Sequence, residues 1–260
     1  MLFGVCNHPD ASVHLVKSAC DFIETNVQGL LKPEASDEEF QPELEKILAS
    51  KVPVKVANCF YPGDIKLTGP VVDIPRIEKY AHSACKRARQ AGMDTIVFGS
   101  GGARRIPDGF DRAEAWSQLV DFGKRVGAIA AQYGITIVVE PLRQKECNVL
   151  TSVGKGAQLV KDVNHPHFRL LIDAYHWLQD DDSYDDLVAS CPLISHAHIA
   201  TKDNRKVPTL EPCDFSTFFK ALKAGGYNGR LSIEANWPNL AEECVEVMQK
   251  LRAIAAQHGF

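Results

Sequence analysis

The chain has 260 residues, 45% of them hydrophobic and 24% charged, and a formal net charge of -4. That length suits one α/β barrel, the composition leaves no long stretch to disorder, and the acidic balance argues against nucleic acid as a partner. No stretch reaches the ~18 apolar residues of a membrane span, the start MLFGVCNHPD lacks a basic leader, and eight irregularly spaced cysteines without a C-x-x-C pair read as free thiols, so a soluble cytoplasmic protein is expected.

Short β-branched runs alternate with longer helical patterns. In chain order, a strand over Leu2–Asn7 is followed by a helix over Ala11–Ala19, entered through Pro9 and Asp10. The strand Phe22–Val27 precedes a helix at Asp37–Ser50, acidic in its first part and ending near a lysine, as the helix dipole prefers. The strand Val52–Phe60 leads to a helix at Pro75–Ala91, with proline at its start and Gly92 after its end. The strand Thr95–Gly99 precedes the helix Arg112–Tyr133, closed by Gly134. The strands Ile135–Glu140, Arg169–Asp173, Leu193–Ile199 and Arg230–Ala235 pair with helices Val153–Val163, Tyr184–Ser190, Asp214–Ala224 and Asn239–His258. These eight units recur at roughly 30 residues, the size of a βα unit. A doubly wound open sheet is the rival, but the first strand, LFGVCNHPD, carries only Gly4 and no dinucleotide fingerprint. The expected fold is a single (β/α)8 TIM barrel spanning 1–260.

The last four strands end on metal-competent side chains: Ile135 to Glu140, Leu170 to Asp173, Ser195 to His198, and Leu231 to Glu234. Side chains alternate along a strand, so if Glu140 points into the barrel, Val138 and Thr136 do too, while Ile135, Ile137 and Val139 face the helices. By the same count Ser232 shares the interior with Glu234. In a barrel the carboxyl ends of the strands form the catalytic face, so the four side chains converge on one arc of the mouth. Three carboxylates and an imidazole suit Mn²⁺, Mg²⁺, Co²⁺ or Zn²⁺ with coordination positions left open.

The segments VVEPL, LIDAYHW, HAHIA and LSIEAN resemble the xylose isomerase-like barrel superfamily, in particular its ketose 3-epimerases and hydroxypyruvate isomerase-type members. The resemblance is sharp in the second half of the chain. It implies that Glu140, Asp173, His198 and Glu234 bind one divalent ion, most often Mn²⁺, with Glu140 and Glu234 also acting as acid and base. It further implies substrate contacts for His176, three after Asp173, for Glu146, six after Glu140, and for Arg205, which stands one residue further along than the family pattern. The implied chemistry is isomerisation or epimerisation of a small sugar, sugar phosphate or sugar acid through a metal-held enediolate, with glutamate moving the proton. The implied partner is that substrate, with neither nucleic acid nor membrane; a homo-oligomer is left open.

Other residues give weaker signals. His196 precedes His198 by two and reads as a hydrogen-bonded interior histidine. His8 either lines the pocket or caps the next helix. Cys59-Phe60-Tyr61 offers an apolar pocket wall, and Trp177 a cover; Trp116, within a helical pattern, reads as packing. Ser100 to Arg105 is either an anion-binding loop or a solvated surface loop. Three rival functions are weighed. A barrel DNA-repair endonuclease needs further ligands where this chain has Asn58-Cys59, Phe98-Gly99 and Cys213-Asp214-Phe215. A dehydratase of a cyclic keto acid such as dehydroshikimate would use Arg104 and Arg105 for the carboxylate. A non-catalytic sugar-binding subunit has no need of both Glu140 and Glu234.

Overall fold

Eight short strands close into a parallel barrel in sequence order, β8 pairing back onto β1. The computed structural model describes residues 1–209 and 212–260. Its elements run β1 (Leu2–Cys6), α1 (Ser12–Leu15), β2 (Phe22–Asn26), α2 (Asp37–Leu48), β3 (Val54–Asn58), α3 (Ile74–Gln90), β4 (Thr95–Phe98), α4 (Gly101–Arg104) and α5 (Arg112–Tyr133). They continue β5 (Thr136–Val139), α6 (Val153–Val163), β6 (Phe168–Asp173), α7 (Ala174–Gln179), α8 (Tyr184–Ser190), β7 (Ile194–Ile199), α9 (Ser216–Ala224), β8 (Arg230–Ile233) and α10 (Leu240–Gln257). No helix among the described residues is long and apolar enough to cross a membrane.

The helix boundaries follow local chemistry. Ser36 and Glu39 form a reciprocal capping box at the start of α2, and Asp111 caps α5 by accepting from the Glu114 amide. Gly134 ends α5 with φ 66°, a left-handed conformation that glycine adopts without strain.

The first crossover departs from the continuous helix expected over Ala11–Ala19. It breaks into a 3-10 turn at Pro9–Ala11, the four-residue α1, and a second 3-10 turn at Val16–Ser18. The Ser18 hydroxyl donates to the Leu15 carbonyl at 2.8 Å, a local bond that competes with regular helix. Four short elements were not anticipated: a π turn at Val27–Leu31, capped by Asn26, the helices α4 and α7, and a 3-10 turn at Cys191–Leu193.

Two apolar regions result. The larger lies between the barrel's outer wall and the helices, and contains Ile135, Ile137 and Val139. The smaller fills the barrel itself: Phe22, Val56, Val97, Val138 and Leu171. The inward phase expected for Val138 is therefore observed. Gly4 on β1 is required beside this inner layer, because a Cβ there would overlap the Phe22 ring. The inner layer forms a dry floor, and the residues two steps further along the strands stand above it.

Candidate metal centre

That two-residue step carries β5 and β6 from the apolar floor to the mouth, Val138 to Glu140 and Leu171 to Asp173, and carries β7 and β8 from buried polar residues to the mouth, His196 to His198 and Ser232 to Glu234. The four mouth residues come together. One ligand atom from each of Glu140, Asp173, His198 and Glu234 can be chosen so that all lie within 4.8 Å of one another. His198 Nδ1 is 2.9 Å from Glu234 Oε2 and 3.4 Å from Glu140 Oε1. Neither His198 Nδ1 nor Glu140 Oε1 has a hydrogen-bond partner, although both are buried. Buried polar atoms are normally satisfied, so two orphans converging with two more carboxylates make a candidate cation site. The donor set fits a single divalent ion.

Arg205 occupies the edge of this cluster. Its Nη2 donates to Asp173 Oδ2 at 3.1 Å and to Glu234 Oε2 at 2.5 Å, and Nε donates to the Glu234 carbonyl at 3.2 Å. The backbone at Arg205 is left-handed, with φ 49°, and the guanidinium lies 4.6 Å from the centroid of the Tyr175 ring. Arg143 stacks on the same ring at 4.9 Å. The extra residue before Arg205 therefore does not move it out of the site.

His176 approaches from α7, with Nε2 3.6 Å from Asp173 Oδ2 and 3.8 Å from Glu140 Oε1, while Nδ1 accepts from the Arg143 amide at 3.3 Å. Asp173 Oδ1 accepts from the Tyr175 amide, so the same carboxylate that faces the cluster also caps α7. Glu146 is an exposed residue whose carboxylate accepts from Arg143 Nε at 2.6 Å. His8 serves in both of the ways considered: its Nδ1 accepts from the Asp10 amide, and its side chain lines the adjacent cavity.

The electrostatics of the cluster are set by burial and by mutual charge. Burial raises the Asp173 carboxyl, an effect that Arg205 only partly offsets. Burial also acts to raise Glu234, but His198 outweighs it and holds that carboxyl low. Burial disfavours the His198 cation, yet Glu24 and Glu234 overcome this and hold the imidazole well above its usual range. His176 is pushed down by desolvation, which favours the neutral ring, against the opposing charge of Glu140. Desolvation, followed by the charges of Glu234 and Glu140, pushes the Cys59 thiol at the rim up to about 11.

Several expectations around the site are corrected. Arg104 is neither an anion cradle nor a solvated charge: it is fully buried, and donates to the Phe98 carbonyl at 3.1 Å and the Glu140 carbonyl at 2.6 Å. It braces the ends of β4 and β5, which leaves the exposed Arg105 alone for any anion at this loop. Trp177 is buried against Phe218, with ring centroids 6.0 Å apart, and does not cover the mouth. Phe60 and Tyr61 turn away from the mouth into the outer core, where the Tyr61 hydroxyl donates to the Ile77 carbonyl at 2.9 Å. Trp116 packs as expected, its indole N–H donating to Asp162 at 2.8 Å.

The sequence reading missed Glu24. This fully buried carboxylate on β2 accepts from His196 Nε2 at 2.7 Å, from His198 Nε2 at 2.9 Å and from the Ser232 hydroxyl at 2.7 Å. Its one sequence signal is an acid at the centre of the strand FIETN, with the same parity as Phe22. His196 is confirmed as a hydrogen-bonded interior residue.

Beside the cluster, toward β1 to β3, lies a cavity of 440 Å³ lined by Asn7, Thr25, Asn26 and Asn58 and reaching Glu234. The one lysine on its lining, Lys46, is tied to Glu43 at 3.0 Å.

The model of the xylose isomerase-like TIM barrel family matches residues 14–254. The D-psicose 3-epimerase of Agrobacterium fabrum is 27% identical over 125 residues, covering 48% of this chain and 43% of that protein. A putative hydroxypyruvate isomerase of Danio rerio is 24% identical over 157 residues, covering 57% of each. The aligned stretch thus spans about half the length of these curated relatives. Among solved structures, D-psicose 3-epimerase with D-tagatose from Clostridium cellulolyticum H10 superimposes with a TM-score of 0.83 at 18% identity, covering 98% of this chain and 99% of that one.

Proposed function

The chain belongs to the xylose isomerase-like TIM barrel family, and on that premise we propose that it is a metal-dependent epimerase or isomerase of a small, uncharged ketose or aldose. Residues 1–260 are read as one such barrel domain. The observation that carries the proposal is the convergence of Glu140, Asp173, His198 and Glu234, with two of their buried atoms left unpartnered. These four would hold one divalent ion, Mn²⁺ being the first choice and Mg²⁺, Co²⁺ or Zn²⁺ compatible with the same donors. When bound, the ion supplies Lewis-acid polarisation of a carbonyl, which acidifies the adjoining C–H.

The chain's own residues then move the proton. One of Glu140 and Glu234 takes the proton from carbon as a carboxylate, and the bonding pair becomes an enediolate. The other, carrying a proton, returns one to the opposite face for epimerisation. Return to the neighbouring carbon gives aldose–ketose exchange. Arg205, and His176 through Nε2 since its Nδ1 accepts from the Arg143 amide, donate hydrogen bonds to the oxygen that gains charge. Glu146, held by Arg143, and His8 and Cys59 at the rim would contact the rest of the substrate.

The cavity supports the substrate class. Its lining offers amides and a hydroxyl, and its lysine is already neutralised by Glu43. No arginine among the described residues lines this cavity, and the two arginines at the cluster are already paired, Arg143 with Glu146 and Arg205 with Asp173 and Glu234, so a phosphate or carboxylate has little to pair with there. The commitment of Arg104 to the Phe98 and Glu140 carbonyls removes a support from the keto-acid dehydratase reading.

The test is a panel of free ketoses, aldoses, their phosphates and hydroxypyruvate, incubated with Mn²⁺-loaded protein in D₂O and followed by NMR. The expected result is deuterium at one carbon next to the carbonyl of a neutral sugar. Turnover confined to the phosphates, or product formed without deuterium, would refute the assignment.

A further inference from the structure

Glu24 lies outside the four candidate ligands, yet it is the buried carboxylate with the most elaborate set of partners at the mouth. It sits on β2, across the barrel from the strands whose side chains it touches, and no part of it is exposed. Its Oε1 receives His198 Nε2 at 2.9 Å, and its Oε2 receives both His196 Nε2 at 2.7 Å and Ser232 Oγ at 2.7 Å. An ionised carboxylate accepts and does not donate, so both imidazoles present N–H at Nε2. A neutral His198 then has its lone pair on Nδ1, the atom that faces Glu140 and Glu234 and has no hydrogen-bond partner. His196 Nδ1 is likewise buried and unpartnered, as suits a bare lone pair better than an unsatisfied N–H.

We infer that Glu24 is a positioning residue for the metal centre: it fixes the tautomer and ring plane of His198 so that Nδ1 is presented to the ion. The inference rests on the proposed metal-dependent function. A carboxylate is costly to bury unless it is fully hydrogen-bonded. Pairing with His196 and Ser232 alone would leave Oε1 without a partner, and it is this oxygen that His198 engages. Carboxylate–histidine–metal chains of this kind orient the ligand and raise its basicity, and removing the carboxylate costs roughly 10–100-fold in metal affinity. One rival use of the same groups is a second cation held by Cys6, Glu24 and His198, whose ligand atoms also lie within 4.8 Å of one another. Under that reading Glu24 would be a ligand and the chain would bind two ions.

The experiment is isothermal titration of metal-stripped protein with Mn²⁺, comparing wild type with Glu24→Gln and Ser232→Ala, with circular dichroism to check the fold. The expected result is one ion per wild-type chain, binding roughly 10–100-fold weaker in Glu24→Gln and a few-fold weaker in Ser232→Ala. A folded Glu24→Gln chain that binds within twofold of wild type overturns the inference while leaving the metal site itself intact. Two ions per wild-type chain overturn it in favour of Glu24 as a ligand. A wild-type chain that takes up no ion removes the underlying function and this inference together. ¹⁵N NMR of the Zn²⁺-loaded wild type covers the case of an unfolded variant. A proton on His198 Nε2 and none on Nδ1 is expected, and the reverse tautomer contradicts the inference.

Discussion

Strands β5 to β8 each deliver an ionisable side chain to the mouth, Glu140, Asp173, His198 and Glu234, whereas β1, β3 and β4 end in Cys6, Asn58 and the Phe98–Gly99 step. The charged arc gathers the candidate ligands, and the cavity of 440 Å³ opens beside the ends of β1 to β3, reaching Glu234 of the charged arc. One arc thus concentrates charge where a reacting carbon would sit, and the other shapes a place for hydroxyl groups. The division is not complete, because Glu24 of β2 crosses the barrel to hold two histidines of β7. A fold with eight equivalent strands has been made chemically one-sided by which residue falls on the final inward position.

The most severe way to break this comparison is to neutralise the charged arc. Glu234→Gln keeps shape and removes one of the two carboxylates that move the proton, so deuterium exchange into substrate should fall by roughly 10²–10⁴-fold with the circular dichroism spectrum unchanged. Exchange at the wild-type rate would take Glu234 out of the proton transfer.

The neutral arc also contributes by what it lacks. A Cβ at Gly99 would lie 2.5 Å from Glu140 Oε2, so Gly99→Ala must push that carboxylate aside. A displacement of this size costs on the order of 10²-fold in turnover, read from initial rates at saturating Mn²⁺. Full activity would mean that Glu140 has freedom the packing does not suggest.

The pH dependence of metal uptake sharpens the account of the charged arc. Glu24 and Glu234 hold the metal-free His198 imidazole well above its usual range, but a ligand must be neutral. Binding therefore expels a proton, and apparent affinity should rise about tenfold per pH unit until the raised His198 value is passed. Titrations in buffers of different ionisation enthalpy should show about one proton released per ion. Affinity that does not change with pH would contradict the proposed role of His198.

The smallest effect is expected within the neutral arc. Asn58→Ala should raise KM by about fivefold with kcat little changed, the loss of one hydrogen bond of about 1 kcal/mol shared by ground and transition states. An equal fall in kcat would move Asn58 from binding into chemistry.

How much of this was legible in the sequence follows from the range of the forces. Strand alternation is local, so the inward phase of Val138 and Glu140 and the ends of β5 to β8 could be counted directly. Glu24 could not be assigned a role, because its partners His196 and His198 are 172 and 174 residues away in sequence. Arg104 misled for a related reason. Glycines beside arginines suit an anion loop, and only the packed structure shows its guanidinium between two strand-end carbonyls. The break in the first crossover is not visible from periodicity, because the serine side chain that competes with helix, Ser18, sits at its far end.

The central claim is tested most directly by titrating chelated, metal-free protein with Mn²⁺ while following solvent deuterium entering the sugar. The account predicts no exchange at the start and a linear rise that stops at one ion per chain. Exchange at the full rate in the metal-free protein, or a rise that continues past one equivalent, would contradict it.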